Sequence, residues 1–204
     1  DQITEEQAYQ NSTLLYLNTV ASLYTQVGAN GGGEGLQGTD RGLYDLHTFT
    51  PDEAMLPTRG GDWYDGGLSQ NLFLHNWGTK NDLVNRSWDY LYKVIAQANQ
   101  SLDKLKEILE NNPENISVPK YISEVRAFRA MYYYYLLDMF ARVPLVTSSS
   151  VAMEDVVQSE RSAVFNFVRT ELEESVEDLS DAHSNLTGEY YGRITKPVAY
   201  FLLA

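Results

Sequence analysis

Apolar side chains recur every three to four residues along much of this chain, which is the period of one face of an α-helix. The first such stretch ends at Gly28, a residue type that is typical of helix ends. Near the start of this stretch, Thr4 and Gln7 fit a capping box, in which side chains satisfy the free N–H groups of the first helical turn. The apolar positions of this predicted helix are Tyr16, Val20, Leu23 and Val27.

The same period predicts two longer helices in the middle of the chain. The first begins near Trp88 and ends before Pro113, because proline disfavours helical backbone in the residue that precedes it. The second is predicted over about residues 119–140. The apolar stripe of the first helix is formed by Trp88, Leu91, Ile95, Leu102, Leu105 and Leu109. The second helix presents Phe128, Tyr132, Tyr135, Leu136 and Met139 on one face.

Two further helices are predicted in the last third of the sequence. Thr195 fits the cap of the last one, and Pro197 lies in its first turn, where the missing N–H costs nothing. The other has an apolar face and an acidic outer side, which we interpret as a solvated face and not as a metal site. Its apolar positions are Phe165, Val168, Leu172, Val176 and Leu179, and its acidic positions are Glu171, Glu173, Glu174, Glu177 and Asp178. Strand signals are few, and a short extended piece is predicted only at residues 143–146.

Helical periodicity is missing between about residues 31 and 79. This span contains most of the glycines and two of the three tryptophans, and we interpret it as one long loop. Long loops are usually functional or disordered, and the aromatic residues Trp63, Tyr64 and Trp77 argue against disorder. The sequence therefore predicts a mainly all-α fold of antiparallel helix pairs, stacked in a tetratricopeptide-like manner, with a long Gly- and aromatic-rich loop inserted.

Charge and composition narrow the possible partners. The formal net charge is −13, which repels phosphate backbones, so we expect no nucleic-acid partner. The 204 residues include no cysteine, which excludes disulfides and thiolate chemistry and favours a bacterial or cytosolic protein. No stretch of eighteen apolar residues is present, so no transmembrane helix is predicted. Because the sequence starts at Asp1 and stops within an apolar run, we expect a portion of a longer protein, with any signal peptide or lipid-bearing cysteine upstream.

Residues 59–67 are the best candidate for a binding site. Sugar recognition needs flat aromatic faces for C–H patches and planar polar groups for hydroxyl pairs. Trp63 and Tyr64 can supply the faces, and flanking glycines allow close approach of the backbone. Donors and acceptors can come from Arg59, Asp62 and Asp65. The alternative is a structural turn in which Trp63 fills the helical scaffold and Arg59 pairs with Asp62.

Trp77 is a second candidate stacking surface, with His75 beside it as a possible hydroxyl ligand or a structural residue. The three histidines, His47, His75 and His183, show no metal-ligand spacing, and no cofactor or metal is expected. Asp52 and Glu53 are adjacent and so point apart, which argues against the paired carboxylates of a glycosidase. Arg126 and Arg129 lie among tyrosines on a predicted helix, where we expect them to pair with acids or stack on rings. No catalytic residue is predicted.

Four segments, taken in order, resemble the SusD/RagB family. Residues 126–146 (RAFRAMYYYYLLDMFARVPLV) are similar to its block E-x-R-x-x-R-A-x-x-Y-x-x-L-x-x-x-F-G-x-V-P-L-V. Residues 88–99 (WDYLYKVIAQAN) resemble its W-x-x-x-Y-x-x-I-x-x-A-N helix, and residues 192–204 (GRITKPVAYFLLA) resemble its G-R-x-T-K entry into a repeat helix. Asp52-Glu53 and residues 57–67 resemble a loop found in part of the family. One departure is Ala141, at a position where the family usually has glycine.

The resemblance implies a function as well as a fold. Members are lipid-anchored on the outside of Gram-negative cells, pair with a SusC-like TonB-dependent transporter, and bind oligosaccharides or, in some cases, peptides without cleaving them. Residues 1–204 then correspond to the N-terminal helical domain only, and membrane contact is expected only through a lipid anchor outside this chain. A second hypothesis is a helical-repeat scaffold that binds only other proteins, and residues 59–67 distinguish the two because a pure scaffold does not need that loop.

Overall fold

The structure is a computed structural model and describes residues 11–28, 34–37, 42–62 and 64–204. The predicted mainly helical fold is confirmed, and within the described residues β-pairing is limited to two isolated bridges. The helices are α1 (Ser12–Tyr16), α2 (Ser22–Gly28), α3 (Leu43–Phe49), α4 (Leu68–Phe73), α5 (Asp82–Asn111), α6 (Val118–Phe140), α7 (Arg161–Ser175) and α8 (Lys196–Leu203). A π-helical turn, Leu17–Ala21, joins α1 to α2, and 3-10 turns cover Asp65–Gly67, Met153–Asp155 and Val176–Asp178.

The chain divides into two compact units, which we describe separately. The helical unit comprises Asp1–Tyr24 and Lys93–Ala204, and the loop unit comprises Thr25–Tyr92. The whole of the predicted long loop, residues 31–79, falls in the loop unit. Its described part is not one irregular segment, because it contains α3 and α4. Each of these helices is at most seven residues long, too short to show a helical period in the sequence.

The first described helix begins with a side-chain cap at Asn11. Its Oδ1 accepts hydrogen bonds from the backbone N–H groups of Thr13 and Leu14, at 2.9 and 3.2 Å, so the free donors of the first turn are satisfied. The predicted capping box at Thr4 and Gln7 lies outside the described residues. Of the predicted apolar face, Val20 and Leu23 are buried, as is Leu15.

Helices α6 and α7 form the centre of the helical unit. Ser123 of α6 donates to Asp178, which follows α7. Tyr133, ten residues after Ser123 on α6, packs its ring on Phe167, which lies eleven residues before Asp178. The two helices therefore run antiparallel. Phe128 and Tyr132 are fully buried, which confirms their prediction as core residues. The stacking of this pair in a tetratricopeptide-like manner stays a prediction.

The predicted apolar face of α7 is wrong at one position. Phe165 is 52% exposed, and Val164 beside it is buried in its place, together with Val168 and Leu172. Both residues fit a spacing of three or four, so the period alone does not decide which of the two faces α6.

The predicted solvated acidic face of α7 is wrong at Glu171. This side chain is buried and accepts hydrogen bonds from the guanidinium groups of Arg126 and Arg129. Arg129 also donates to Asn99 Oδ1 at 2.7 Å and lies 5.3 Å from the ring centroid of Phe167. Both arginines therefore have the structural role that the sequence predicts, and Glu171 is buried because it neutralises them.

The turn after α6 has unusual backbone geometry. Ala141 adopts φ 60° and ψ −68°, and the N–H of Arg142 bonds to the carbonyl of Phe140 at 2.7 Å, which makes a γ-turn. This is the position at which the resembled family has glycine. The next residues are extended, as predicted, and form one bridge between Pro144 and Gln158. The last helix begins after Thr195 with a proline in its first turn, as predicted, but the Thr195 hydroxyl makes no capping bond.

Candidate functional site

Arg59 and Asp62 form the base of a tight two-residue turn in the loop unit. The N–H of each residue bonds to the carbonyl of the other, at 3.2 and 3.0 Å, around Gly60 and Gly61. Gly60 adopts φ +62°, a left-handed conformation that glycine reaches without strain. The pairing of these two residues is therefore made by the backbone, and both side chains are exposed to solvent. An exposed guanidinium and an exposed carboxylate carried by one tight turn offer a donor and an acceptor to a ligand.

The segment after this turn is held in a left-handed conformation. Asp65, Gly66 and Gly67 have φ values of 43°, 66° and 80°, and the N–H of Gly67 bonds to the carbonyl of Tyr64 at 2.6 Å. A Cβ at Gly67 would lie 3.8 Å from the Tyr64 ring, an ordinary van der Waals contact, so it is the φ of 80° and not crowding by the ring that favours glycine here. Tyr64 is nevertheless 50% exposed. The backbone therefore fixes Tyr64 in place while leaving ring surface free for a ligand.

Trp77 is positioned by a different contact. Its ring meets His75 edge to face, with centroids 5.7 Å apart and an interplanar angle of 87°. His75 Nε2 lies 2.7 Å from the carbonyl oxygen of Thr50, so the histidine is itself anchored and acts as a structural residue. Trp77 remains 44% exposed. An edge-to-face contact uses only part of an indole surface and leaves ring area for stacking.

The structure thus places five of the six predicted site residues on the surface of the loop unit. It brings Arg59 and Asp62 together and holds Tyr64 and Asp65 in one left-handed turn. Trp77 lies on a separate segment after α4, where its ring contact is with His75. The sixth residue, Trp63, lies outside the described residues, so its role stays a prediction.

The helical unit contains a cavity of about 810 Å³ that sequence reasoning missed. Its walls come from α1, the start of α6, the turn after α7 and the segment before α8. The lining includes the aromatic residues Tyr16, Tyr121 and Tyr190 and the ion pair of Glu124 with Arg193. Arg193 belongs to the segment of residues 192–204 that resembles the SusD/RagB family. The sequence does not indicate that its side chain contacts Tyr16, far away in the chain.

The ion pair at the base of this cavity is bidentate. Arg193 Nε and Nη2 donate to the two carboxylate oxygens of Glu124 at 3.0 and 2.7 Å. Its guanidinium lies 4.8 Å from the ring centroid of Tyr16 and 4.6 Å from that of Tyr190. Tyr24 completes the group, since its hydroxyl donates to Glu124 at 2.7 Å and accepts from the N–H of Ile194 at 2.9 Å. An arginine that contacts two rings and is paired with a carboxylate through two hydrogen bonds is held in one orientation.

Burial of these groups changes their acidity. Burial and the negative charge of Glu124 raise the pKa of Tyr16 to about 12, and the same two causes raise the pKa of Tyr24 well above its ordinary value. Burial lowers the pKa of Arg193, but the hydrogen bonds to Glu124 and the negative charge of Glu124, with smaller contributions from Tyr16 and Tyr24, together raise the pKa by more, so the guanidinium stays charged. Tyr16, which lines the cavity, and Tyr24, which bonds to Glu124, therefore stay neutral through the physiological pH range, and Arg193 stays charged.

The described residues contain no group of three or more His, Asp or Glu side chains arranged to hold a metal ion. None of the helices in that part of the chain is both long and apolar enough to cross a bilayer.

Comparison with known proteins identifies the fold and the family. A model of the SusD-like family, described as starch-binding and associating with the outer membrane, matches residues 8–204. A SusD-like protein, P38, from Formosa agariphila is 26% identical over 122 residues, which are 58% of this chain and 23% of that protein.

Two solved structures are similar over almost the whole chain. A laminarin-binding SusD-like protein has a TM-score of 0.73 and 25% identity over 95% of this chain. A SusD superfamily protein from Bacteroides vulgatus has a TM-score of 0.75 and 20% identity over 96% of the chain. In each case the chain spans only 39% of the solved protein's length.

Proposed function

This chain belongs to the SusD-like family, and from that premise we propose that it is part of a non-catalytic cell-surface subunit that binds a glycan and delivers it to a TonB-dependent outer-membrane transporter. The observation that carries the proposal is the family match over residues 8–204. The family's description as starch-binding and associating with the outer membrane favours a glycan ligand and a position at the outer membrane. A lipid anchor outside this chain would hold the subunit on the extracellular face.

The surface of the loop unit supports this proposal with suitable chemistry. Tyr64 and Trp77 offer exposed ring area, and Arg59 and Asp62 offer an exposed donor and an exposed acceptor on one turn. Such a combination suits a neutral sugar, whose C–H patches stack on rings and whose hydroxyl groups both donate and accept. We propose that these residues, together with Asp65 and Trp63, contact the glycan.

One experiment tests binding and the absence of catalysis together. The full-length protein is run through native gels that contain laminarin, starch or no polysaccharide, and the same polysaccharides are incubated with it and analysed for released oligosaccharides. We expect retardation by at least one glucan and no released product. Cleavage that co-purifies with the protein would overturn the non-catalytic assignment. If neither glucan retards the protein and a peptide or protein is captured specifically instead, a peptide-binding member or a protein-binding scaffold is favoured.

The transporter partner needs its own measurement. Affinity-tagged protein is purified from membranes of its native host under mild detergent, and co-purifying proteins are identified by mass spectrometry. A TonB-dependent transporter in stoichiometric amount is the expected result. Recovery of the subunit alone from intact outer membranes would contradict the delivery role while leaving glycan binding in place.

A further inference from the structure

We propose that the cavity of the helical unit is a second saccharide site, separate from the loop surface, that takes a neutral oligosaccharide. The inference rests on the proposed function in that it assumes a protein exposed to glycans. It adds a site in a different unit of the chain, made by residues that do not belong to the loop surface.

The size of the cavity suits an organic ligand. Its volume of about 810 Å³ lies within the range of roughly 300–1,000 Å³ that is typical of small-molecule sites. A single metal ion or a few water molecules, at roughly 30 Å³ of liquid volume per water, would fill only a small part of it. The occupant that matches this volume is a molecule of several rings.

The floor of the cavity is fixed before any ligand binds. Glu124 and Arg193 hold each other through two hydrogen bonds, and the guanidinium also contacts the rings of Tyr16 and Tyr190. A side chain that is already ordered loses little entropy on binding, so a ligand that contacts this floor retains more of its interaction energy.

The charges on the walls select against ionic and apolar ligands. The lining carries the five carboxylates of Glu124, Glu177, Asp178, Asp181 and Glu189 and the three cations of Lys120, Arg193 and Lys196, a balance of two negative charges. An anionic ligand would meet this excess of negative charge, and a hydrocarbon would have to strip water from charged groups without replacing the lost hydrogen bonds. A neutral polyol avoids both costs.

The same walls match the hydrogen-bonding capacity of a sugar. Each sugar hydroxyl donates and accepts, and the lining offers donors and acceptors close together, as where Lys196 Nζ lies 3.5 Å from Asp181 Oδ1 and 3.7 Å from Glu177 Oε2. These exposed pairs are weak and are open to exchange with a ligand. Tyr121, whose ring lies 5.4 Å from that of Tyr16, adds aromatic surface on the cavity wall for the C–H face of a pyranose.

Two side-chain N–H groups report on the two sites separately in an NMR titration of the full-length, ¹⁵N-labelled protein. Arg193 Nε–H lies on the cavity floor, and the indole N–H of Trp77 lies on the loop surface. Laminarihexaose and maltohexaose are the neutral probes, and an oligogalacturonide is the anionic probe. We expect a neutral probe to shift the Arg193 signal saturably, and the oligogalacturonide to shift it at least tenfold more weakly.

A matched pair of variants assigns the signal to the cavity. Thr13 lines the cavity from an exposed position of α1, so Thr13→Trp fills the space without removing a core contact. Asn18 is exposed on the same run of helix but does not line the cavity, so Asn18→Trp is the control. Thr13→Trp should weaken the response of Arg193 at least tenfold and leave the response of Trp77 unchanged, whereas Asn18→Trp should change neither.

The outcomes separate this inference from the proposed function. If a neutral probe saturates the Trp77 signal and leaves the Arg193 signal unmoved, the cavity proposal is wrong and glycan binding stands. An Arg193 response without a Trp77 response would support the cavity and remove the loop surface from the proposed function. If the Arg193 signal responds equally in Thr13→Trp and Asn18→Trp, the ligand that shifts this signal does not bind in the cavity. If the oligogalacturonide binds more tightly than the neutral probes, the ligand of the cavity is not a neutral saccharide.

Discussion

The two units use the same kinds of side chain in opposite ways. In the helical unit, charged groups such as Glu171, Arg129 and Glu124 are buried and paired, either with one another or, for Glu124, with Arg193 in the segment before α8. In the loop unit, the charged side chains of Arg59 and Asp62 are exposed, and the rings of Tyr64 and Trp77 are about half exposed. A buried, paired group contributes to the fold, whereas an exposed ring or ion on a fixed backbone is available to a ligand.

This difference predicts that substitutions separate into two classes. Changes in the centre of the helical unit should lower the free energy of unfolding, and changes on the loop surface should lower affinity at constant stability. A loop-surface substitution that lowers stability, or a substitution in the helical unit that lowers only affinity, would contradict this difference between the two units. The expected effects below run from the largest to the smallest.

Phe128→Ala tests the core of the helical unit. Phe128 is 1% exposed, and truncating a buried phenylalanine costs about 3–5 kcal/mol of unfolding free energy because a cavity remains. Phe165→Ala, on the exposed side of α7, is the control and should cost less than about 1 kcal/mol. Urea denaturation of both variants measures the difference. Equal losses would contradict the burial of Phe128 on α6 and the exposure of Phe165 on α7.

Glu171→Gln tests the buried charge network. The substitution keeps the shape of the side chain but leaves Arg129 without its carboxylate, and breaking a buried ion pair by removing one partner costs about 3 kcal/mol or more. Glu173→Gln changes a half-exposed acid on the same helix, 3.9 Å from Arg169, and should change stability by well under about 1 kcal/mol. A stability of Glu171→Gln equal to that of the unmodified protein would mean that the network contributes nothing to folding.

Ala141→Gly should stabilise the protein. A non-glycine residue with φ 60° carries backbone strain of order 1–3 kcal/mol, part of which glycine relieves, so we expect a gain of about 1 kcal/mol. Ala152→Gly provides the contrast, because Ala152 has an ordinary φ of −70° and glycine there only adds unfolded-state entropy. The two variants should move the thermal midpoint in opposite directions. A lower midpoint for Ala141→Gly would contradict the strained turn.

High pH should weaken the helical unit. The pKa of Tyr16 and of Tyr133 is raised to about 12, mainly by burial, so their phenol groups stay protonated in the folded state while the unfolded chain ionises near pH 10. Their contribution to stability is therefore complete below about pH 10 and is lost as pH rises towards 12. Denaturant midpoints measured across this range should fall, and Tyr16→Phe should reduce the slope. A flat profile above pH 10 would contradict the burial of these groups.

The sequence predicted correctly the long helix whose apolar residues recur regularly and are buried in the fold. The bounds of α6 and the burial of Phe128 and Tyr132 follow from apolar spacing over more than twenty residues. The sequence did not predict which side of α7 is buried at its start. Val164 and Phe165 are both apolar, and either fits the helical spacing. The sequence also did not predict α3 and α4, which are too short to show a period.

The features that the sequence could not show depend on distant partners. Glu171 belongs to an acidic run that is typical of a solvated face, and only the arginines more than forty residues earlier explain its burial. Tyr24 and Ile194, which meet beside the cavity, are 170 residues apart. The turn at residues 59–62 needs no distant partner, because the glycines within it indicate a turn by themselves, and the binding role of the loop residues stays a prediction.

The most direct test of the account is to measure affinity and stability together for Trp77→Ala in the full-length protein. The account predicts that glucan affinity falls by about thirtyfold, which corresponds to about 2 kcal/mol for a central aromatic anchor, while the thermal midpoint stays unchanged. Leu72→Ala, at a fully buried position of the same unit, should instead lower the midpoint by removing a core side chain. Unchanged affinity for Trp77→Ala, or a loss of stability comparable to that of Leu72→Ala, would contradict the assignment of the loop unit as the binding surface.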